Sequence, residues 1–206
     1  GAGEVDSGTP PVDLVPFDTA FIKCEYEWSQ NESTYWASAG DRSVHSRADV
    51  DRWMGYFRGT AEDAGPKTGV NFGLQTKDGV RIGDMGINRV RAHSSSGSLG
   101  AKIGNPDYWG GGYGTDALLM VVQYAFDWLD MRRVYLNTSG LNVRVQRQME
   151  KVGFTLEVHE RQATWMDGEW VDVLHYGLMR NEWPGREAMI EKLDSRAKAA
   201  RILNTK

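Results

Sequence analysis

Apolar residues recur along the chain at two spacings, one helical and one extended, and their alternation predicts most of its elements. Phe21, Ile22, Tyr26 and Trp28 share one side of a segment opened by the capping residue Asp18, which predicts a helix over Asp18 to Trp28. Val50, Trp53, Met54 and Phe57 predict a second over Ala48 to Arg58, and the polar stretch Asn31 to Arg47 between them reads as a long ordered loop. Ala117, Leu118, Val121, Ala125, Trp128 and Leu129 predict a third over Thr115 to Leu129, with a face that must pack on a sheet. Val143 to Lys151 reads as a fourth, closed by Gly153. After Pro184, the residues Met189, Ile190, Leu193 and Ala197 make a partial stripe in a fifth, which suits a docked helix and a solvated one equally.

The extended spacing falls elsewhere. Asn71 to Thr76 and Val80 to Asn88 flank Lys77-Asp78-Gly79, a hairpin pattern, and Ser98 to Ile103 follows a polar Ser/Gly turn. Arg133 to Thr138 comes after the third helix, so the order strand, helix, strand predicts a parallel, right-handed crossover. Phe154 to Thr164 and Trp170 to Met179 close an antiparallel pair around Met166-Asp167-Gly168-Glu169. The expected fold class is α/β, a mixed sheet of the α+β kind flanked by helices. Residues 1–15, rich in Gly, Pro and Asp, read as a flexible segment, 16–183 as one domain and 184–206 as a helical extension.

Composition narrows the function. With 206 residues, 40% of them hydrophobic, the chain suits one core. A net charge of −4 argues against a general nucleic-acid binder. Cys24 is the one cysteine and can form no internal disulfide; its charged neighbours suggest a half-buried thiol rather than a nucleophile. With no long apolar span in the sequence, the expectation is a cytoplasmic protein without membrane contact.

The strongest chemical signal is Tyr108-Trp109-Gly110-Gly111-Gly112-Tyr113-Gly114-Thr115, set between a strand and a helix start. Glycines let main-chain amides approach a ligand, and the first turn of a helix leaves its amides unpaired, so the loop suits a phosphate. It is neither a nucleoside-triphosphate loop, since no Lys lies between Lys102 and Lys151, nor a Rossmann turn, since Thr115 stands three after Gly112. Taken alone, a glycine-rich turn without a ligand fits equally well.

Further blocks stand in register with it: Leu99-Gly100, Asn105-Pro106-Asp107, Asp116-Ala117-Leu118, Tyr124-Ala125-Phe126, Arg132-Arg133-Val134, Asn142-Val143-Arg144, Glu150-Lys151-Val152-Gly153-Phe154, Gly168-Glu169-Trp170-Val171-Asp172 and Glu182-Trp183. Over roughly residues 70–183 the chain resembles the GNAT superfamily of acyl-CoA-dependent N-acyltransferases, in particular its RimJ/RimL-like branch of ribosomal-protein N-terminal acetyltransferases. The resemblance implies a GNAT fold, a central, mostly antiparallel sheet splayed at the coenzyme site. It also implies acetyl-CoA (coenzyme A) as co-substrate with no metal, a primary amine of a protein N-terminus or small molecule as acceptor, and room for a homodimer. By the same resemblance Trp109, Gly110, Gly111, Gly112, Tyr113, Gly114 and Thr115 hold the pyrophosphate. The main chain of Lys102, Ile103 and Gly104 lines the pantetheine arm, with an amide near Ile103 polarising the thioester carbonyl. Asn142 matches a residue that contacts that arm, and capping the next helix would explain it as well.

Two positions depart from the family pattern. Met149 stands where many members place a tyrosine that protonates the leaving thiolate, and methionine has no proton to give. Ser98 stands where RimJ/RimL-like relatives often carry an acid. The candidate bases are therefore Asp84, His93, His175 and Asp172, with Asp84 first; for each, hydrogen-bonded scaffolding is the plain alternative. Trp28, Trp36 and Trp53 suit either the acceptor groove or the core. The expected activity is acetyl transfer from the thioester to an amine. The alternatives are transfer of another acyl group, such as succinyl, to a metabolite or antibiotic, and a coenzyme-binding module of weak activity.

Overall fold

A computed structural model describes residues 12–30, 46–52, 69–91 and 93–204. Among these, seven strands form one sheet in the order β1-β2-β3-β4-β5-β7-β6. The strands are β1 (Val12–Pro16), β2 (Val70–Thr76), β3 (Arg81–Arg91), β4 (Ser96–Ile103), β5 (Arg133–Ser139), β6 (Thr155–Met166) and β7 (Glu169–Met179). Every neighbouring pair is antiparallel except β4 and β5, joined by the predicted crossover. The helices are α1 (Thr19–Ser29), α2 (Tyr113–Gln123), α3 (Val143–Val152) and α4 (Arg186–Asn204), with a helical stretch over residues 47–52. The remainder of the predicted second helix and the loop before it, with Trp36, Trp53, Met54 and Phe57, lie outside the described residues.

One face of the sheet meets α2, α3 and α4. Met85, Ile87, Leu99, Val134, Leu136, Leu174, Tyr176 and Leu178 from the strands bury against Ala117, Leu118, Val121 and Val122 of α2, Met149 and Val152 of α3 and Met189 of α4. Burial at about 25 cal/mol per Å² of apolar surface makes this cluster the main source of stability. The C-terminal helix thus docks on the body of its own chain through Met189, with Ile190 and Leu193 beside it. No described helix is long and apolar enough to cross a membrane.

Two elements differ from the expectation. Val12–Pro16, placed with the loose N-terminal segment, forms edge strand β1 on β2. Its short apolar run Val12, Leu14 and Val15 was obscured by flanking prolines, which edge strands tolerate. The third helix starts at Tyr113, two residues earlier than expected. It then loosens at Tyr124–Trp128 into a π turn, closed by Leu129 N–H donating to the Tyr124 carbonyl at 3.1 Å. The wider turn breaks the 3.6-residue phase, so Trp128, expected on the packing face, is 78% exposed.

A single carboxylate ties three elements together. Asp116, buried in the first turn of α2, accepts the Val12 N–H of β1 at 3.0 Å and pairs with Arg186 at the start of α4 at 3.1 Å. Asp116→Ala leaves a buried amide and a half-buried guanidinium unmet, and should lower stability by about 2 kcal/mol. Urea unfolding measures it; a change within error would show that these contacts hold nothing.

Candidate active site

The parallel pair β4–β5 is only three residues long, Ser96–Ser98 against Arg133–Tyr135. Beyond it, β4 stays on β3 as far as Ile103, and β5 stays on β7 as far as Ser139, so the two strands part. Gly104 N–H donates to the Ile82 carbonyl at 2.8 Å. By the alternation of an antiparallel ladder, Lys102 also turns its main chain to β3, so of the three residues expected to line the arm only Ile103 turns its N–H into the opening. Lys102 and Gly104 are taken up by β3, and Ala101 faces the opening beside Ile103.

The glycine loop closes one end of that opening. Trp109 Nε1 donates to the Ile103 carbonyl at 2.7 Å, tying the loop to the end of β4. Gly110 and Gly112 adopt φ of +77° and +87°, where a side chain is strained, and swing the chain into α2. Gly112 caps α2 without a side chain, whereas α1 and α3 are capped by Asp18 and Asn142. The first intrahelical bond runs from Asp116 N–H to the Gly112 carbonyl at 3.0 Å, so the amides of Tyr113, Gly114 and Thr115 have no partner inside the helix. Arg144, from the first turn of α3, lies 4.6 Å above the Trp109 ring and adds positive charge beside the loop. Gln148 donates to Thr115 Oγ1 at 3.3 Å. Asn142, expected at the coenzyme arm with helix capping as the alternative, accepts the Val145 N–H at 3.3 Å and caps α3.

Across the sheet, α1 lies on the other face. Phe21 occupies the space above Gly73 and Trp28 the space above Gly104, where an added Cβ would come within 2.3 and 2.2 Å of their rings. Between them on the same side of the helix stands Glu25, 8% exposed and ion-paired with Lys102 Nζ. Asp84 is the cross-strand partner of Lys102, and the Lys102 ammonium also lies 5.9 Å from the Trp28 ring centroid. Burial, with the Glu25 charge adding to it, pushes the Asp84 carboxyl up to about 6, against the pull of Lys102 and a hydrogen bond from Asn71. The sheet face under α1 therefore carries, on β3 next to β4, a carboxyl whose proton affinity is raised toward neutral pH. Sequence reasoning missed Glu25, although it sits at helical spacing between Phe21 and Trp28 in an otherwise apolar stripe.

The other candidate bases lie apart from this cluster. Asp172 and His175 belong to β7, with β4 and β5 between them and Asp84. Asp172 accepts the Gln162 N–H at 2.8 Å and pairs with His159 at 2.5 Å, contacts that hold its carboxyl below the ordinary range and pin a bulge of β6. His175 pairs with Glu160 at 3.0 Å. His93 is exposed in the turn between β3 and β4. Met149 is buried in the main core, a packing position that presents no hydroxyl. Cys24 is half-buried, and burial raises its thiol.

Among curated proteins, the chain is similar to the Uncharacterized N-acetyltransferase YnaD of Bacillus subtilis (strain 168), 27% identical over 79 residues, 38% of this chain and 46% of that protein. It is also similar to the "Putative ribosomal N-acetyltransferase YdaF" of the same strain, 26% identical over 119 residues, 58% of this chain and 64% of that one. The match thus spans less than two thirds of either relative. Among solved structures, spermidine N-acetyltransferase from Vibrio cholerae in complex with CoA and spermine superposes with a TM-score of 0.72 at 15% identity, over 83% of this chain and 96% of that one. A dodecameric structure of spermidine N-acetyltransferase from Vibrio cholerae superposes with a TM-score of 0.69 at 17% identity, over 85% and 97%. These structures share the fold. The sequence model described as Acetyltransferase (GNAT) domain matches residues 14–155, well over half of the 206. A split β4–β5 pair ending at a glycine-capped helix and a family match across those same elements lead to one conclusion: the chain belongs to the GNAT acetyltransferase family.

Proposed function

We propose that the chain is an N-acetyltransferase that moves the acetyl group of acetyl-CoA directly to a primary amine, with both substrates bound at once. The observation that carries this is the opening between β4 and β5, with unpaired amides at one end and a proton-accepting carboxyl on the opposite face. The amides of Gly110 to Thr115 suit a diphosphate, Arg144 adds a cation, and the Ala101 and Ile103 edge suits an amide-bearing arm. Coenzyme A supplies the activated thioester, so the protein has only to align the amine, hold the carbonyl oxygen near the Ile103 amide and take up a proton. Asp84 receives that proton, with Glu25 beside it; Asn142 contacts the arm while capping α3. The acceptor class is an amine of a protein N-terminus, as the RimJ/RimL-like resemblance suggests, or of a small molecule, as with the spermidine enzymes that share the fold. The buried Met149 favours a second reading, a coenzyme-binding module that turns over slowly. Thiol release from acetyl-CoA across a panel of amines separates the two; tight binding without release for any amine would leave the module.

Gly112→Asp should weaken coenzyme A binding at least 100-fold by calorimetry, because a carboxylate would meet the diphosphate. Gly112→Asn tolerates the same backbone conformation without the charge and should lose much less. Equal losses would assign the effect to strain and remove the loop amides from binding. Asp84 must be ionised to accept a proton, so kcat/KM for the amine should rise with pH through about 6 and level off above it. Asp84→Asn should lower kcat by about 100-fold and remove that rise. A pH profile unchanged in the variant would transfer the base role to another residue.

A further inference from the structure

We propose that Lys102 is itself an acceptor, and that the chain places one acetyl group on its own Lys102 Nζ. The inference rests on the coenzyme reading above. Lys102 is the residue immediately before Ile103, whose amide faces the opening, and its side chain lies on the α1 face, where an amine nucleophile would have to approach. Its nitrogen is held on that face, paired with Glu25 and beside the Trp28 ring, with Asp84 as its cross-strand neighbour. Lys23, Lys77 and Lys151 are exposed, whereas the Lys102 side chain is only 24% accessible, enclosed within the cluster that manages protons.

In the reaction one ammonium proton passes to the Asp84 or Glu25 carboxylate, and the freed lone pair attacks the thioester carbonyl carbon. A C–N bond forms and the C–S bond breaks. The sulfur leaves with its electron pair and takes up the second proton lost by the nitrogen, so the products are N-acetyl-lysine and the free thiol. Acetylation removes the cation set between Glu25 and Asp84. The two carboxyls then face the acceptor side without an internal counter-charge, and a free ammonium would be held there more tightly.

Intact mass spectrometry and peptide mapping of the purified full chain, incubated with acetyl-CoA and no added amine, test the proposal. The expected result is a gain of one acetyl group on Lys102, at a rate independent of protein concentration and lost in both Lys102→Arg and Gly112→Asp. No gain in mass while thiol is released with added amines would overturn the self-transfer and leave the proposed function standing. Acetyl groups scattered over exposed lysines, or the same gain in Lys102→Arg, would also overturn it. Absence of both thiol release and mass gain would sink the acetyltransferase reading together with the inference.

Discussion

The parting of β4 from β5 after three residue pairs is the constraint on which the site depends. A continuous parallel pair would consume the main-chain donors and acceptors along both edges, and each one left buried without a partner costs about 1–3 kcal/mol. The opening therefore survives only if water or a ligand supplies alternating partners. It is held from both sides. Gly104 and Asn105 N–H both donate to the Ile82 carbonyl, keeping the end of β4 on β3, while Trp109 takes the Ile103 carbonyl and fixes the loop beyond it. On the other edge β5 stays on β7 to Ser139, whose hydroxyl accepts the Leu141 N–H ahead of α3. The loop, the start of α2 and the start of α3 thus converge on one end of the opening because the two strands that precede them diverge there.

The two faces of the sheet divide the work. The α2 face is apolar and densely packed, so it fixes the helix N-terminus against the strands; Gln148 packing beside Gly114 shows how closely α3 follows. The α1 face is shaped by glycines that admit Phe21 and Trp28, and this close approach brings Glu25 down onto Lys102 and Asp84. A lone carboxylate at that depth would be expensive, and two without a cation more so. Lys102 is what makes the pair tolerable, and burial, with the Glu25 charge adding to it, leaves Asp84 holding its proton to higher pH. Structural tolerance and proton affinity are here one property.

Much of this was legible in the sequence, and the misses have physical causes. The glycine loop and the strand–helix–strand order around it are local signals, and the structure places them as read. Asp84 was singled out from its strand alone, and the fold sets it beside Lys102. Glu25 was overlooked because helical periodicity ranks apolar positions and passes over a charge among them, although Phe21, Glu25 and Trp28 share a face. Trp128 shows the opposite failure. An ideal 3.6-residue repeat was extended through a segment where the helix widens, and the ring points outward. Asp172 and His175 carry suitable chemistry, but only the hairpin register shows that their partners are His159, Gln162 and Glu160.

Burial of Met149 bears on how much acid the proposed reaction needs. A thiolate leaving group has a pKa near 8.5, so its expulsion unprotonated at neutral pH costs only about 2 kcal/mol relative to the thiol. An alkoxide in the same position would cost far more and would demand a donor. The proton demand is therefore lopsided: an attacking ammonium must lose one proton before the bond can form, whereas the sulfur needs one only after it has left. On the proposed reading, Asp84, its carboxyl raised by burial, would meet that demand where it is greatest. Met149, which helps seat α3 in the core, is then free to serve packing alone.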